Sequence, residues 1–545
     1  MQLRNSIKLF IISCVLMIGC TMHVYAGDMP GTMTSVKIVD ETGAQIHITA
    51  SVDPTVVSAD EEIYLFELKP YQKDLQGRYD PLDAVDIASK LEFTVDLFTD
   101  DGDNRLYSAF CLAVNAGDHY EMISYKHYIT NPEILSGDSS PARNKGIKGL
   151  VVDSDYQAAI GLGIQHAAIN IATTNFFGRG ISYTFKGKQY SISADTIASL
   201  DTQISMYSAA GVAVTAIILN AWNEDATELN PSGMLLPTEK AAYYQFPTET
   251  EEAVETLEAM SSFLAKRYNG RNGCGKISNW VIGNEINNQY WNYSSFTDIW
   301  QYVQRFQDAF RIFYTSIKAE SASDQVMFSI DHYWAMPTES QPAITYAAKA
   351  VVDVFSAFDR QEGSIDWGLA LHPYPYPMDA ATFWKERDPA YGVAQYFTDD
   401  ANSPVVDFVN LHVITDYMKI PAFLNPAGQT RTIFLTEEGF SSMKGTQDMS
   451  QEQAAAVAYS YYIVKHNPYI KAYILSRQDD HPYEAGSGLN IGLSTIQMDG
   501  SRVPKPAREV FRLIDTAQSA AVSDFAKTII GISDWGQLIP GFQYP

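Results

Sequence analysis

The sequence predicts an α/β protein in which a parallel (β/α)8 barrel follows a small all-β, sandwich-like domain. Three observations support this prediction. Short apolar strands alternate with long helical patterns eight times between residues 146 and 517, which is the order of elements in such a barrel. Residues 27–145 instead carry short β-rich segments separated by Asp, Gly and Asn turns, as antiparallel sheets do. Two of the barrel strands also end in glutamate, at the face where barrels carry their functional sites.

The eight predicted strands and helices follow one another with loops of varying length. The strands are predicted at 149–152, 166–171, 212–219, 280–282, 326–330, 367–371, 432–435 and 472–475. The helices are predicted at 156–162, 196–209, 249–268, 297–319, 344–357, 405–417, 451–465 and 505–517. An open, doubly wound sheet is the alternative, but it would not need eight units. We expect the C-terminal tail, 518–545, to pack back on the body of the protein.

Residues 1–26 have the features of a secretory signal peptide. Arg4 and Lys8 accompany a short apolar stretch, and Ala26 ends a small-residue cleavage site. Lipidation of Cys20 is the alternative, and it would anchor the protein to a membrane surface. No later apolar segment reaches the ~20 residues that a membrane span needs. The sequence therefore predicts a secreted or extracytoplasmic protein without a membrane span.

The chain is strongly acidic, with 64 Asp and Glu residues, 38 Lys and Arg residues and a formal charge of −26. Removing residues 1–26 takes away two positive charges and changes this charge from −26 to −28. Such a surface disfavours nucleic acids and anionic membranes as partners, because both repel it. It suits a neutral ligand such as a glycan.

The cysteines give no indication of a metal or cofactor. Cys111 and Cys274 remain after the signal peptide. They fall in different predicted domains, so we expect two buried thiols rather than a disulfide. No group has zinc-ligand spacing, and the sequence implies no cofactor.

The fourth and seventh predicted strands end in the residues with the clearest chemical meaning. Asn284 and Glu285 end the fourth, and Glu437 and Glu438 end the seventh. Hydrolysis of a glycosidic bond needs two carboxyl groups close together, one protonated and one ionised. Since successive residues of a strand face opposite sides, only one of Glu437 and Glu438 can point into the barrel mouth.

These strand ends resemble those of the large clan of retaining glycoside hydrolases with barrel folds. That clan has an Asn-Glu pair at the end of strand four and a glutamate at the end of strand seven. The Leu-His-Pro-Tyr segment 371–374 resembles its His-x-Tyr element, and 436–442 resembles its Thr-Glu-aromatic-Gly-aromatic-Ser pattern. The resemblance covers roughly residues 147–515. Among narrower groups, the chain is most similar to an uncharacterised bacterial family of secreted barrels.

The resemblance implies a role for each of these residues. Glu437, the first glutamate of its pattern, is implied as the nucleophile, and Glu285 as the acid/base. Asn284 would donate its amide to the 2-hydroxyl group of the sugar. Tyr374 would hold Glu437 ionised through a hydrogen bond. His372 would line the same wall, with a purely structural role as the alternative.

Other residues after the strand ends are candidates for sugar contacts. Aromatic faces stack on the C–H surfaces of sugars, and polar groups bind sugar hydroxyls. These candidates are Asn220, Trp222, Tyr290, Trp291, Asp331, Tyr333, Trp334, Gln478 and His481. The alternative is that a share of them only packs the loops.

The chain departs from the clan at two strand ends. Many members carry an arginine near the end of strand two, where this chain has Asn170 and Asn175. Many also carry a tryptophan at the end of strand eight, where this chain reads Ser-Arg-Gln at 476–478. These departures concern the sugar that is bound more than the reaction.

The sequence therefore predicts a secreted retaining glycoside hydrolase that acts on β-glycosidic bonds of a polysaccharide or oligosaccharide. Cleavage would proceed by double displacement through a glycosyl-enzyme on Glu437, without a metal. One alternative is a barrel that binds glycans without cleaving them. Another is a metal-dependent hydrolase, for which the candidate ligands are Asp331, His332, Asp479, Asp480 and His481.

Overall fold

A computed structural model describes residues 29–39, 44–99, 103–138, 140, 146–152, 155–231, 241–295, 297–338 and 344–545. The predicted signal peptide and Cys20 lie outside these residues. The chain divides into two units, Met1–Asn131 with Gln361–Gly363 and Pro132–Arg360 with Ser364–Pro545. No helix among the described residues has both the length and the apolar character to cross a membrane.

The first unit contains two antiparallel sheets, so the predicted all-β domain is confirmed. Its strands are Gly31–Val39, Gln45–Val52, Glu62–Leu68, Asp83–Asp86, Lys90–Asp96, Ala109–Asn115, Tyr120–Met122 and His127–Tyr128. The first, second and fifth form one sheet, and the others form the second sheet. Every second side chain of Gln45–Val52 is buried, because successive residues of a strand face opposite sides.

The two cysteines of the described chain are both free thiols. Cys111 is buried, as expected, and burial raises its pKa to about 12. Cys274 is only half-buried, so the expectation of a second buried thiol is wrong. Its backbone N–H donates to the side chain of Asn272, and this polar turn before a barrel strand lies at the surface.

The second unit is built around a closed barrel of eight parallel strands, which confirms the predicted fold class. Barrel strands one to eight are Lys148–Val151, His166–Ala172, Ala213–Leu219, Ile277–Ile282, Gln325–Asp331, Trp367–His372, Ile433–Glu438 and Ile470–Leu475. Strand one pairs with strands two and eight, which closes the barrel. All eight predicted segments overlap these strands.

Packed side chains fill the interior of the barrel. The cluster consists of Ala168, Ile217, Leu219, Val281, Met327, Ala370, Phe434, Ala472 and Ile474. Space is so limited that a Cβ atom on Gly368 would lie 2.6 Å from the side chain of Met327. Because the centre of the barrel is solid, chemistry is confined to the strand ends and their loops.

Helices surround the barrel and follow the predicted order. They are Tyr156–Gly161, Ala194–Ala209, Glu251–Arg267, Ile299–Glu320, Ala348–Gln361, His412–Tyr417, Ser450–Lys465, Pro482–Gly486, Pro506–Leu513 and Ser519–Ile530. The predicted helix 405–417 is wrong in its first half. There, Asp407 accepts a hydrogen bond from the backbone of Val409, and Asn410 accepts one from the backbone of Asp407. These side-chain bonds fix a turn that competes with a helix.

Among the described residues of the second unit, three hairpins and the C-terminal tail remain. The hairpin strands are Gly180–Phe185 with Lys188–Ser193, Met443–Lys444 with Gln447–Asp448, and Ser494–Ile496 with Arg502–Pro504. In the tail, the hydroxyl groups of Ser519 and Ser523 lie 2.7 and 2.9 Å from that of Tyr462. These buried bonds attach the last helix to the helix Ser450–Lys465.

Candidate active site

Glu285 stands at a sharp turn just beyond strand four. Gly283 and Glu285 both have left-handed backbone conformations, with φ of 75° and 39°. Glycine adopts this conformation freely, whereas a residue with a side chain loses about 1–3 kcal/mol. Strand five holds the turn: the N–H of Glu285 donates to the hydroxyl of Ser329 at 2.9 Å, and the N–H of Ile286 donates to the carbonyl of Ser329 at 2.9 Å. The turn directs the Glu285 carboxyl group toward strand six.

One imidazole ring lies next to both candidate carboxyl groups. His372, the last residue of strand six, is 1% exposed, and its Nδ1 atom lies 3.0 Å from Oε1 of Glu285 and 3.9 Å from Oε2 of Glu437. Its Nε2 atom lies 3.1 Å from the hydroxyl of Thr436, which fixes the orientation of the ring. The structure therefore brings together residues from strands four, six and seven at one point.

The same contacts favour a proton on His372. Burial alone would lower its pKa, but the charge of Glu437 and the hydrogen bond with Glu285 outweigh burial, so the pKa is raised. A protonated ring donates at both nitrogen atoms. His372 thus contacts Glu285 and lies near Glu437 through one nitrogen atom, and both neighbours favour its protonated form.

Glu437 and Glu438 differ sharply in environment. The side chain of Glu437 is 30% exposed, and the hydroxyl of Tyr374 donates to its Oε1 atom at 2.7 Å. Glu438 is completely buried. Burial, followed by the charge of Glu437, raises the pKa of Glu438 well above its ordinary value, which favours its neutral form. Of the two, Glu437 is the residue that faces the barrel mouth.

Substitution of Tyr374 by phenylalanine is expected to lower kcat by about 10–100-fold, because a hydrogen bond to a charged group contributes about 1.5–3 kcal/mol. The ring and its packing stay in place, so we expect Tm to change little. Tyr268→Phe is the matched control, since its hydroxyl donates to Asp201 at 3.1 Å before strand four, away from this site. Equal activity of the wild type and the Tyr374→Phe variant would show that this hydrogen bond does not contribute to activity.

Strand five ends in two buried titratable side chains. Asp331 accepts hydrogen bonds from the Asn287 side chain and the Tyr333 backbone, both at 2.8 Å. Burial, followed by the charge of Glu285, raises its pKa to about 8. Burial lowers the pKa of His332 to about 4, and its Nδ1 atom lies 2.8 Å from the carbonyl of Tyr374. Both side chains support neighbouring loops.

An ion pair and an aromatic group are also formed by loop residues near the strand ends. Arg477, just after strand eight, pairs with Glu484. Burial raises the pKa of Glu484, whereas the charge of Arg477 lowers it. The charge of Glu437 also raises the pKa of Glu484, so the two carboxyl groups are near enough to interact. The rings of Tyr243 and Tyr290 lie 6.2 and 4.6 Å from the ring of Trp291.

Tyr243 is not among the residues predicted from the sequence, and Asn170 had no predicted role. Burial and then the charge of Glu437 raise the pKa of Tyr243, so its phenol lies near that carboxylate. Tyr243 belongs to a loop, and no strand-end signal precedes it. Asn170 is exposed and shares a strand face with Ala168 of the barrel interior. It therefore lines the mouth at the end of strand two.

Several other residues predicted to contact the sugar form hydrogen bonds with the loops instead. The amide of Asn220 donates to the carbonyls of Leu229 and Gln245. The indole of Trp334 donates to the carbonyl of Ala401, and the amide of Gln478 donates to that of Asp155. These three side chains are buried. Asn284 is also buried, Trp222, Tyr290, Trp291 and Tyr333 are half-buried, and His481 is exposed.

The sequence candidates for metal ligands are engaged elsewhere. Asp479 pairs with Arg502 at 2.7 Å, and Asp480 pairs with Lys505 at 2.6 Å. Across the part of the chain that the structure describes, no group of three or more His, Cys, Asp or Glu side chains is arranged to hold a metal ion.

Buried carboxyl groups are expected to make the protein less stable as pH rises from about 6.5 to about 8. Burial raises the pKa of Asp331 to about 8 and those of Glu386 and Glu438 well above their ordinary value. In the unfolded chain these groups ionise near pH 4. The folded state therefore binds more protons across this window, and each such proton costs about 1.4 kcal/mol of stability per pH unit.

Calorimetry between pH 6.5 and 8 checks this expectation. His166 and His332, whose pKa values burial lowers to about 4, act in the opposite direction, and this effect fades as pH rises above about 6.5, where the unfolded chain also loses these protons. We expect Tm to fall across the window, and to fall less steeply in the Glu438→Gln variant. A Tm that is constant or rises with pH would contradict the assignment.

Comparisons with known proteins give one family and several distant structural likenesses. No curated protein matches the chain. Similar solved structures include a family 39 glycoside hydrolase from the gut symbiont Bacteroides cellulosilyticus WH2, at 14% identity over 86% of this chain and 80% of that chain, with a TM-score of 0.44. Others are a family 1 β-glucosidase from Thermotoga maritima in complex with isofagomine lactam (13% identity, 66% and 85% covered, TM-score 0.42) and a glucosidase from Croceicoccus marinus (11%, 69% and 68%, TM-score 0.41).

These structural likenesses are distant, with identities of 11–14%. The family match covers most of the chain. It spans residues 140–538, which include all eight barrel strands and every candidate site residue. The chain therefore belongs to DUF5722, a family of unknown function.

Proposed function

We propose that the protein is an exported retaining glycoside hydrolase that cleaves β-glycosidic bonds of a neutral polysaccharide or oligosaccharide. The observation that carries the proposal is the meeting of Glu285 and Glu437 at one nitrogen atom of His372. Because the distances of 3.0 and 3.9 Å share that atom, their sum, about 7 Å, is the largest separation of the two oxygens. This upper limit for one pair of oxygens is compatible with the ~5–5.5 Å that separates the carboxyl groups of retaining enzymes.

In the first step, the carboxylate of Glu437 attacks the anomeric carbon of the sugar. The carboxylic acid of Glu285 donates its proton to the glycosidic oxygen as the bond between carbon and oxygen breaks, and the alcohol leaves. The sugar is then an ester of Glu437, with its anomeric configuration inverted.

In the second step, Glu285 acts as a base. Its carboxylate takes a proton from water, the water oxygen attacks the anomeric carbon, and the ester bond to Glu437 breaks. The second inversion restores the original configuration. Each residue ends in the protonation state in which it began, so no other reactant is needed.

The groups around the two carboxyls have distinct tasks in this scheme. Tyr374 holds one oxygen of Glu437 and leaves the other to attack. His372 stabilises the negative charge, which moves from Glu437 to Glu285 in the first step and back in the second. In this scheme Asn284 and Asn170 would bind sugar hydroxyls, and the rings beside Trp291 would stack on the C–H face of the sugar.

The charges around the site favour an uncharged sugar. Glu437 and Glu484 lie close together, and Arg477 is already paired with Glu484. The whole chain has a formal charge of −26. A carboxylate on the sugar would therefore meet net repulsion.

Incubation of the purified protein with a panel of neutral and acidic polysaccharides tests the proposal. Product chromatography identifies the substrate, and proton NMR during the first minutes identifies the anomer released. We expect a neutral sugar that first appears in the β configuration. Initial release of the α anomer would contradict retention, and binding without any product would favour a non-catalytic glycan-binding barrel.

A further inference from the structure

Asn287 and Asp331 connect the turn that carries Glu285 to the end of strand five. The side chain of Asn287 donates to Oδ1 of Asp331 at 2.8 Å, and the backbone N–H of Asp331 donates to Oδ1 of Asn287 at 3.0 Å. Asn287 is completely buried and Asp331 is 7% exposed. Two reciprocal bonds in a buried place restrict both translation and rotation of the turn. We call this pair the strand-five clamp.

The clamp lies two residues beyond a backbone conformation that needs support. Glu285 has a φ of 39°, which residues with a side chain rarely adopt. The loop behind the turn adds a further constraint, since the N–H of Tyr346 donates to the carbonyl of Asn287 at 2.8 Å. Without these contacts the backbone of Glu285 would relax toward an ordinary conformation, and its carboxyl group would move away from His372.

We propose that Asn287 and Asp331 are positioning residues, which hold the carboxyl group of Glu285 where it can pass a proton to the glycosidic oxygen. The inference rests on the proposed function, because it concerns the acid of that reaction. Proton transfer needs a donor within hydrogen-bond reach, and a displacement of about 1 Å can cost about 100-fold in rate. Neither residue contacts the reacting atoms in this scheme.

The charge state of Asp331 agrees with a positioning role. Burial and then the charge of Glu285 raise its pKa to about 8, so at neutral pH most molecules carry it protonated. The titratable groups that act on it are Glu285 and His372. A neutral Asp331 keeps its hydrogen bonds to Asn287 and Tyr333 without placing a second negative charge beside Glu285.

Two substrates with the same sugar and different leaving groups distinguish a misplaced acid from a general loss of active-site structure. A 2,4-dinitrophenyl glycoside of the sugar released in the polysaccharide screen leaves without a proton, whereas the methyl glycoside needs one. For Asn287→Ala and Asp331→Ala, we expect kcat/KM at neutral pH to fall about 10–100-fold on the methyl glycoside and less than about 3-fold on the dinitrophenyl glycoside. The ratio of kcat/KM between the two substrates is the quantity to compare.

The exchange of the two residues, Asn287→Asp with Asp331→Asn, tests the clamp directly. The exchanged pair still places an amide against a carboxyl group, and each side chain retains an oxygen that can accept the partner N–H. We expect it to recover the methyl glycoside activity to within about 5-fold of the wild type. An exchange variant as impaired as the two alanine variants would overturn the clamp.

Asp324→Ala is the matched control. Asp324 is a buried carboxyl group just before strand five, and it accepts hydrogen bonds from Ser321 and Trp280. We expect this change to lower Tm and to leave the ratio between the two substrates unchanged. Equal losses on both substrates in the Asn287→Ala and Asp331→Ala variants would overturn the clamp. A wild type that hydrolyses neither glycoside nor any polysaccharide would instead refute the proposed function.

Discussion

Replacement of Glu437 by glutamine is expected to reduce kcat by at least about 10⁴-fold, because the covalent step loses its nucleophile. The amide keeps the size of the side chain and can still accept from Tyr374. The variant should therefore fold and bind glycan as the wild type does. Rates on the substrate found in the polysaccharide screen, with glycan binding measured by calorimetry, check both parts.

Glu438 provides a control one residue away. Burial favours the neutral form of its carboxyl group, and Glu438→Gln replaces that group by a neutral one of the same shape. We expect it to retain activity within about 3-fold, apart from any loss of stability. Azide added to a Glu437→Gly variant should restore turnover and give a glycosyl azide of inverted configuration. Full activity of Glu437→Gln, or inactivation by Glu438→Gln alone, would contradict the assignment.

Replacement of Glu285 by alanine is expected to have an effect that depends on the leaving group. A glycoside that leaves without a proton should keep most of its kcat/KM, whereas an alkyl glycoside should lose about 10²–10⁴-fold, the usual contribution of general acid catalysis. The second step also loses its base, so the glycosyl-enzyme should accumulate. Mass spectrometry of the intact protein detects this ester on Glu437.

Azide distinguishes the two glutamates. In the Glu285→Ala variant, azide should intercept the glycosyl-enzyme and give a glycosyl azide of retained configuration, the opposite of the Glu437→Gly product. Asp324→Ala again controls for the loss of a buried carboxyl group and should give no azide product. The same loss of kcat/KM on activated and alkyl glycosides would show that Glu285 is not the acid.

The barrel and its two principal glutamates could be predicted because each depends on a pattern of residues that are close together in the sequence. An apolar run marks a buried strand, and the polar residue that ends it marks the open face of the barrel. Strand alternation also predicts that Glu437 and Glu438 face opposite sides, and their burial differs as expected. The prediction needs no knowledge of distant contacts.

The remaining features depend on contacts between distant segments. Arg477 meets Glu484 through a short helix after strand eight, and Asn287 meets Asp331 across two strands. No local sequence pattern predicts either of these pairs. Conversely, Asn220 and Trp334 stand at strand ends, yet loop carbonyls use their polar groups. A strand-end position therefore indicates proximity to the site and does not indicate which partner a side chain takes.

The left-handed turn at Glu285 has a consequence for protein engineering. An acid residue on an ordinary strand end can be transplanted by a single substitution, whereas this one depends on Ser329, Asn287 and Asp331 for its backbone geometry. The smallest portable unit is the end of strand four together with the end of strand five. A designer who grafts Glu285 alone onto another barrel would obtain a carboxyl group that points elsewhere, and directed evolution would have to rebuild both strand ends together.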